Sequence, residues 1–440
     1  MIRRLVGWVD ARSGTAPLLR RGLRYVFPDN WSFLLGEIAL YAFVVLVLTG
    51  IYLTLFFEPS LREVTYQGEY GPLQGREVSA AYHSVVALSF DVRAGLLVRQ
   101  THHWAANVFV AAIVLHLLRV FFTGAYRKPR QVTYYLGLGM LMFGVLEGFL
   151  GYSLVDDLLS GMGLQIAYSV AASIPVVGGN LALLLWGDEF PGSDEFLSRL
   201  YIGHVLLLPV AIGLLLALHL SLVALNHHTQ FPGPRRREDN VVGTPLWPGY
   251  ALRSLALLFA TAAVLFALGG LVQINPVWLW GPFETWLSTN GAQPDWYLGW
   301  LIGGLRIMPP WEPVVGGYTV VPVAFWGGAL FPLVVFGFLF LWPTLERRAT
   351  GDERFHHLLD RPRDAPWRTA IGVGFFTWVW LVFLAGSADR VFVELGVPYR
   401  WQIWGYRVAV LVVPPLAGWV ALRVARELRG AYPPIRAGTE

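Results

Sequence analysis

The sequence predicts an all-α integral membrane fold of eight transmembrane helices. Three observations carry this: overall apolarity, recurring apolar runs of helix length, and an uneven distribution of arginine. Of the 440 residues, 55% are hydrophobic and 14% charged, and the mean hydropathy is +0.52. That is too apolar for an ordinary soluble domain. A run of about 20 apolar residues crosses roughly 30 Å of hydrocarbon as a helix. Such runs occupy 33–57, 102–122, 131–154, 198–225, 249–272, 318–342, 367–386 and 402–425.

With eight spans, both termini share one side of the membrane. Segments 1–32, 119–130, 226–253, 343–368 and the tail from Arg426 lie there and hold 23 Lys and Arg. The opposite segments (58–101, 155–199, 273–317 and 387–401) hold 8. The positive-inside rule therefore expects cytoplasmic termini and lipid on all sides of the bundle. Topology also accounts for Arg235-Arg236-Arg237 beside a span, so no nucleic-acid partner is expected. Several arginines precede the first apolar run, and no signal peptide is expected. Cysteine is absent, which removes disulfides, iron–sulfur ligation by this chain and thioether-linked haem.

The chain divides near residue 245. Residues 1–245 contain the first four spans and every intramembrane His, whereas 246–440 contain four spans with none. Two connections on the arginine-poor side are long. One, 155–197, includes apolar pieces at 158–171 and 174–186, too short to span and suited to helices lying at the surface. The other, about 273–317, joins the fifth and sixth spans. Long loops in a compact protein tend to be functional.

Ionisable side chains within a span are functional by default. His102 and His116 lie on the second run, His204 and His219 on the fourth. At about 100° per residue, a spacing of 14 leaves two positions about 40° apart, and a spacing of 15 about 60°. Each pair thus shares a helix face, with its members roughly 21–22 Å apart along the axis. Two facing helices then offer two levels of paired imidazoles, a bis-His site for a planar macrocycle, stacked twice. His103 cannot replace His102, because a spacing of 13 from His116 rotates it by about 140°. A lone intramembrane His is as readily a packing residue or a proton relay, but four at matched spacing point to two non-covalent haems.

Gly36 and Gly50 on the first span are 14 apart, as are Gly137 and Gly151 on the third. Glycine in a span often serves only close helix packing. Two pairs at the histidine pitch point to flat groups needing room at two levels, in a haem-binding four-helix bundle of spans one to four.

At this point the residues resemble the cytochrome b of Rieske–cytochrome b complexes. Arg99-Gln100-Thr101-His102-His103-Trp104 through His116-Leu117-Leu118-Arg119 to Thr123-Gly124 is similar to that family's second helix. Gly151-Tyr152-Ser153-Leu154 resembles the end of its third, and Pro294-Asp295-Trp296-Tyr297 its Pro-Glu-Trp-Tyr loop. The resemblance covers about 30–425. The 15-residue spacing in the fourth helix resembles the chloroplast type, although the two halves, separate chains there, are joined here.

The resemblance implies that His102 and His204 ligate an outer haem b and His116 and His219 an inner one. Arg99 and Arg119 then sit near haem propionates, where interfacial snorkelling is the competing reading. Tyr152, Asp295 and Tyr297 belong to an outer quinol site, with a carboxylate able to accept a quinol proton. The implied partners are a Rieske iron–sulfur protein and a c-type cytochrome, in a homodimeric quinol–cytochrome c oxidoreductase of the bacterial cytoplasmic (inner) membrane. Asp295 in place of Glu shortens the carboxylate by one methylene, and relatives with Asp there tend to use menaquinol. Menaquinone is therefore the favoured quinone, with ubiquinol second. Val155-Asp156-Asp157, where many relatives have Pro-Trp, fits the same subgroup.

Among the remaining candidates, Glu147 serves either a proton path or pairing between helices. His227 and His228, near Asp239, are read as surface residues ahead of an inner quinone site, and His356 and His357 as solvated. Two rival functions stay open on sequence alone. One is a haem b membrane anchor of a dehydrogenase or hydrogenase, the other a transporter with intramembrane His.

Overall fold

The computed structural model describes residues 2–289 and 293–432. Residues 290–292 of the long loop, and 433–440 of the tail, lie outside it. Among the described residues, eight helices are long and apolar enough to cross a membrane: Trp31–Thr54, Gly95–Thr123, Gln131–Ser153, Phe196–Asn226, Leu246–Leu271, Phe325–Thr350, Pro366–Ser387 and Tyr399–Ala431. They are spans 1 to 8 below, and the protein is a multi-pass, mostly helical membrane protein. Strand content among the described residues is limited to three short antiparallel pairs in the connections.

Local chemistry sets the ends. Asn30 caps span 1 by accepting from Ser32 N–H at 3.0 Å. Span 2 stops at Gly124, whose φ of +65° is the left-handed conformation that glycine supplies without strain. Span 6 departs from expectation. The apolar run ends at Pro343 and the charges Glu346, Arg347 and Arg348, yet the helix continues to Thr350. The reason is a buried ionic network. Arg368 of span 7 donates to Glu346 at 2.6 Å and to Asp360 at 2.8 Å, and Tyr126 donates to Glu346 at 2.6 Å. Composition along a single segment cannot register that pairing.

A second difference lies in span 4. One turn, Gly203–Leu207, is π-type, with His204 inside it and Pro209 just beyond. Proline has no amide hydrogen, so the carbonyl one turn back loses its usual partner and the turn widens. A π-turn holds one residue more than an α-turn. The 15-residue spacing of His204 and His219 therefore acts as the 14-residue spacing of His102 and His116, and the expected difference in angle disappears.

Span 1 packs along span 2 and span 3 along span 4, while spans 2 and 3 touch lightly and span 5 closes over spans 1 and 2. Two helix pairs thus face each other across a slot. Glu37 pins span 5 to span 1, accepting from Ser254 at 2.7 Å, Tyr41 at 3.1 Å and the Tyr250 hydroxyl.

The side bearing 155–197 and 273–317 is the loop face; the other is the basic face. On the loop face, helices form at Leu158–Ala172 and Gly178–Trp186, over the two short apolar pieces. Asp157 caps the first, accepting from Ser160 N–H at 2.9 Å while Ser160 Oγ accepts from Asp157 N–H at 3.0 Å. The two long loops are stitched together by Leu158 N–H to Gly281 O (2.9 Å) and Phe283 N–H to Asp156 O (3.0 Å). Burial pushes the Asp157 carboxyl up to about 6, with its Ser160 hydrogen bonds and Arg99 opposing. Asn caps a helix as well as Asp and carries no charge to bury. Asp157→Asn should therefore leave the loop intact at neutral pH, whereas Asp157→Ala should cost about 1 kcal/mol, read as faster proteolysis of the loop face.

Candidate functional site

The slot between the two helix pairs brings the four span histidines together in two levels. Near the loop face, the His102 and His204 rings lie 6.2 Å apart between centroids with planes at 83°. An atom held at about 2.0–2.1 Å by a nitrogen of each ring sets centroids roughly 6.3 Å apart, so the spacing suits one metal atom between them.

The outward nitrogens are occupied in a way that frees the inward ones. His204 Nδ1 lies 3.2 Å from Glu147 O and 3.0 Å from Glu147 Oε1. Both are acceptors, so Nδ1 carries the hydrogen and Nε2 the lone pair a metal needs. His219 is fixed in the same sense by Thr133 O at 2.9 Å. Thr49 Oγ1 donates to Val45 O at 2.6 Å, leaving its lone pair for His102 Nδ1 at 2.9 Å. His116 Nδ1 is buried without a partner among the described residues.

The four glycines sit closer to this chemistry than flat-group clearance alone implies. Each abuts one imidazole: Gly36 His116, Gly50 His102, Gly137 His219 and Gly151 His204. A Cβ at Gly36 or Gly50 would lie 3.3 Å from its ring, and one at Gly137 3.7 Å, whereas one at Gly151 would collide with His204. Gly151→Ala should thus disturb the loop-face level and Gly137→Ala should be tolerated. Reduced-minus-oxidised spectra of the two variants distinguish them; equal effects would detach the glycines from the histidines.

Two arginines flank the levels, Arg99 buried and Arg119 half-buried. Among the described residues, Arg99 donates twice to Asn275 O at 3.2 Å while its Nε stays unpaired; Arg119 leaves Nε and one terminal nitrogen buried without partners and lies 4.2 Å over Phe33. Burial of these nitrogens stands against the snorkelling reading. Buried unpaired guanidinium donors call for an anion, and haem propionates meet that need. The residues present fit two haems.

Beside the loop-face pair lies a cluster that sequence reasoning only half identified. His103, excluded as a ligand, turns instead to Asp295, with Nε2 at 2.7 and 2.8 Å from the two carboxylate oxygens. Tyr297 donates to Asp295 Oδ2 at 2.8 Å. Burial works against ionisation of Asp295, and the contacts with His103 and Tyr297 outweigh it, holding the carboxyl below its usual range. Burial and Asp295 together hold the Tyr297 hydroxyl well above the ordinary phenol range. Tyr152 is buried, its hydroxyl has no partner among the described residues, and it lines an apolar cavity of about 1900 Å³ with Phe149, Leu164, Pro294, Trp300 and Phe336. A buried hydroxyl without a partner at the wall of an apolar cavity suits a large hydrophobic ligand with one polar end.

Three histidines read as surface or solvated residues are half-buried and partnered. On the basic face His228 packs among Tyr25, Phe27 and Phe33, and burial with Arg130 and Arg119 nearby lowers it to about 4. His357 Nδ1 lies 2.9 Å from an Arg130 nitrogen, and His356 Nε2 3.1 Å from Asp352. His227 is exposed, as expected.

A bundle of eight apolar helices whose first four enclose two levels of paired imidazoles defines a cytochrome b-type membrane protein. The family described as cytochrome b (N-terminal)/b6/petB matches residues 107–282, which take in His116, Tyr152, His204 and His219. The chain is 45% identical to the cytochrome bc1 complex cytochrome b subunit of Streptomyces coelicolor over 97% of its length and 78% of that protein. To the subunit of the same description from Mycobacterium tuberculosis H37Rv it is 47% identical over 94% of its length and 75% of that protein. A solved structure titled "Hyperthermophilic respiratory Complex III" shares the fold, with a TM-score of 0.68 and 20% identity over 95% of this chain and all of that one. The chain belongs to the cytochrome b family of bc1-type complexes. Neither a dehydrogenase anchor nor a transporter accounts for that membership.

Proposed function

We propose that this protein is the cytochrome b subunit of a menaquinol–cytochrome c oxidoreductase in a bacterial cytoplasmic membrane, with both termini cytoplasmic and the loop face outward. The observation that carries this reading is the His103–Asp295–Tyr297 cluster beside the His102/His204 pair at the edge of the apolar cavity. Quinol oxidation releases two protons as two electrons leave. Asp295 accepts one of them, held in position by His103, and Tyr152 and Tyr297 orient the quinol hydroxyl. The domain division is functional as well: 1–245 holds the haems, and 246–440 brings the quinol-site loop to them.

His102 and His204 hold one haem b; His116 and His219 hold the other; Arg99 and Arg119 pair with propionates. The two haems, once bound, supply a one-electron path between the faces. The second electron goes to a mobile Rieske iron–sulfur partner docked on the loop face and on to a c-type cytochrome, within a homodimer. Quinone reduction on the basic face completes the proton translocation, with His228, packed among its aromatic neighbours, available there as a ligand. The test is steady-state oxidation by the isolated complex of menaquinol and ubiquinol analogues. Menaquinol should be the better substrate, and a strong ubiquinol preference would sink the reading of Asp295.

A further inference from the structure

Three of the four span histidines are held by neutral groups or by none. His204 differs, because its Nδ1 meets a carboxylate oxygen, Glu147 Oε1, at 3.0 Å as well as the Glu147 carbonyl. We propose that Glu147 is a positioning residue that orients His204 and lowers the reduction potential of the loop-face haem. This rests on the haem assignment above.

Glu147 and Gly151 lie one turn apart on span 3, so one helix face both grips the His204 ring and leaves it room. The second oxygen, Oε2, is buried without a partner among the described residues, so nothing there competes with His204 for the carboxylate. A carboxylate accepting from the outer N–H of a metal-bound imidazole raises the ligand's basicity and fixes its ring plane. It also places negative charge near the metal where the dielectric is low. Both effects favour the oxidised metal. On the other level, His219 has only a neutral carbonyl and His116 no described partner on Nδ1. The chain thus makes its two haem levels unequal, so that an electron is favoured on the basic-face level. A carboxylate that merely pairs spans 3 and 4 would leave the potentials alone.

The experiment is redox potentiometry of the b-type absorbance, with electron paramagnetic resonance of the ferric haems, in membranes containing the assembled complex. Glu147→Gln should shift the loop-face haem about tenfold toward its reduced form, the scale of other outer-shell losses, which is ~59 mV upward for one electron. The basic-face haem should stay fixed. Glu147→Asp, which keeps the charge with a shorter reach, should give a smaller shift in the same direction. Unchanged loop-face midpoints in both variants overturn the proposal. If Glu147→Gln loses the haem, an unshifted Glu147→Asp midpoint overturns it alone. Absence of two b-type components in the parent protein overturns the haem assignment itself, an outcome distinct from two components that do not move.

Discussion

Replacing His204 by Ala should remove one of two b-type haem signals and leave the other. His204 faces His102 at 6.2 Å, and its loss halves the ligation of that level while the cavity around it stays apolar. The second level lies roughly 21 Å away along the helices and rests on different side chains, His116 and His219, held through Thr133 and Gly36. Haem content measured against protein should fall by half, and the reduced-minus-oxidised spectrum should keep one component. His103→Ala is the informative companion. It is the immediate neighbour of a ligand, but its imidazole is turned to Asp295. Both haem signals should therefore persist in that variant while quinol oxidation falls. Loss of a haem with His103→Ala, or retention of both with His204→Ala, would reverse the ligand assignment.

The second large effect is expected at Asp295. Asp295→Asn keeps the size of the side chain and removes its capacity to accept a proton. Quinol oxidation should drop by about 10²–10⁴-fold, the usual contribution of a positioned acid–base group, with haem content unchanged. The pH dependence follows from the sign of the shift. The Asp295 carboxyl is lowered in the folded protein, so its basic form is present at and above the ordinary carboxylate pKa of about 3.9. It is lost only as pH falls below that value. Between pH 5 and 8 the parent enzyme should show no acid limb arising from Asp295, and the Asn variant should be slow throughout. Activity within a few-fold of the parent would remove Asp295 from the reaction.

The features of this site that were legible in the sequence are those governed by helical periodicity. His102, His116, His204 and His219, with Gly36, Gly50, Gly137 and Gly151, repeat at a pitch that a single helix imposes, so their levels follow from counting. The loop residues do not repeat. Asp295 and His103 meet across 192 positions, through loops stitched at Asp156 and Phe283, and no local rule connects them. The same limit hid the end of span 6. Among the charges that look like a helix terminus, Glu346 is satisfied by Arg368, a residue of the next helix. The packing of His228 was hidden for a related reason, since its aromatic neighbours Tyr25 and Phe27 come from the N-terminal segment.

The widened turn at Gly203–Leu207 carries a further consequence. An extra residue in a plain α-helix would swing everything beyond it by about 100°, so that His204 and His219 would be offset to opposite sides compared with a 14-residue pair. Confined to a bulge, the insertion leaves the helix on either side in phase. Spacings of 14 and 15 residues thus become interchangeable routes to one geometry. The count between His204 and His219 is therefore not by itself a measure of how the two rings are set around the helix.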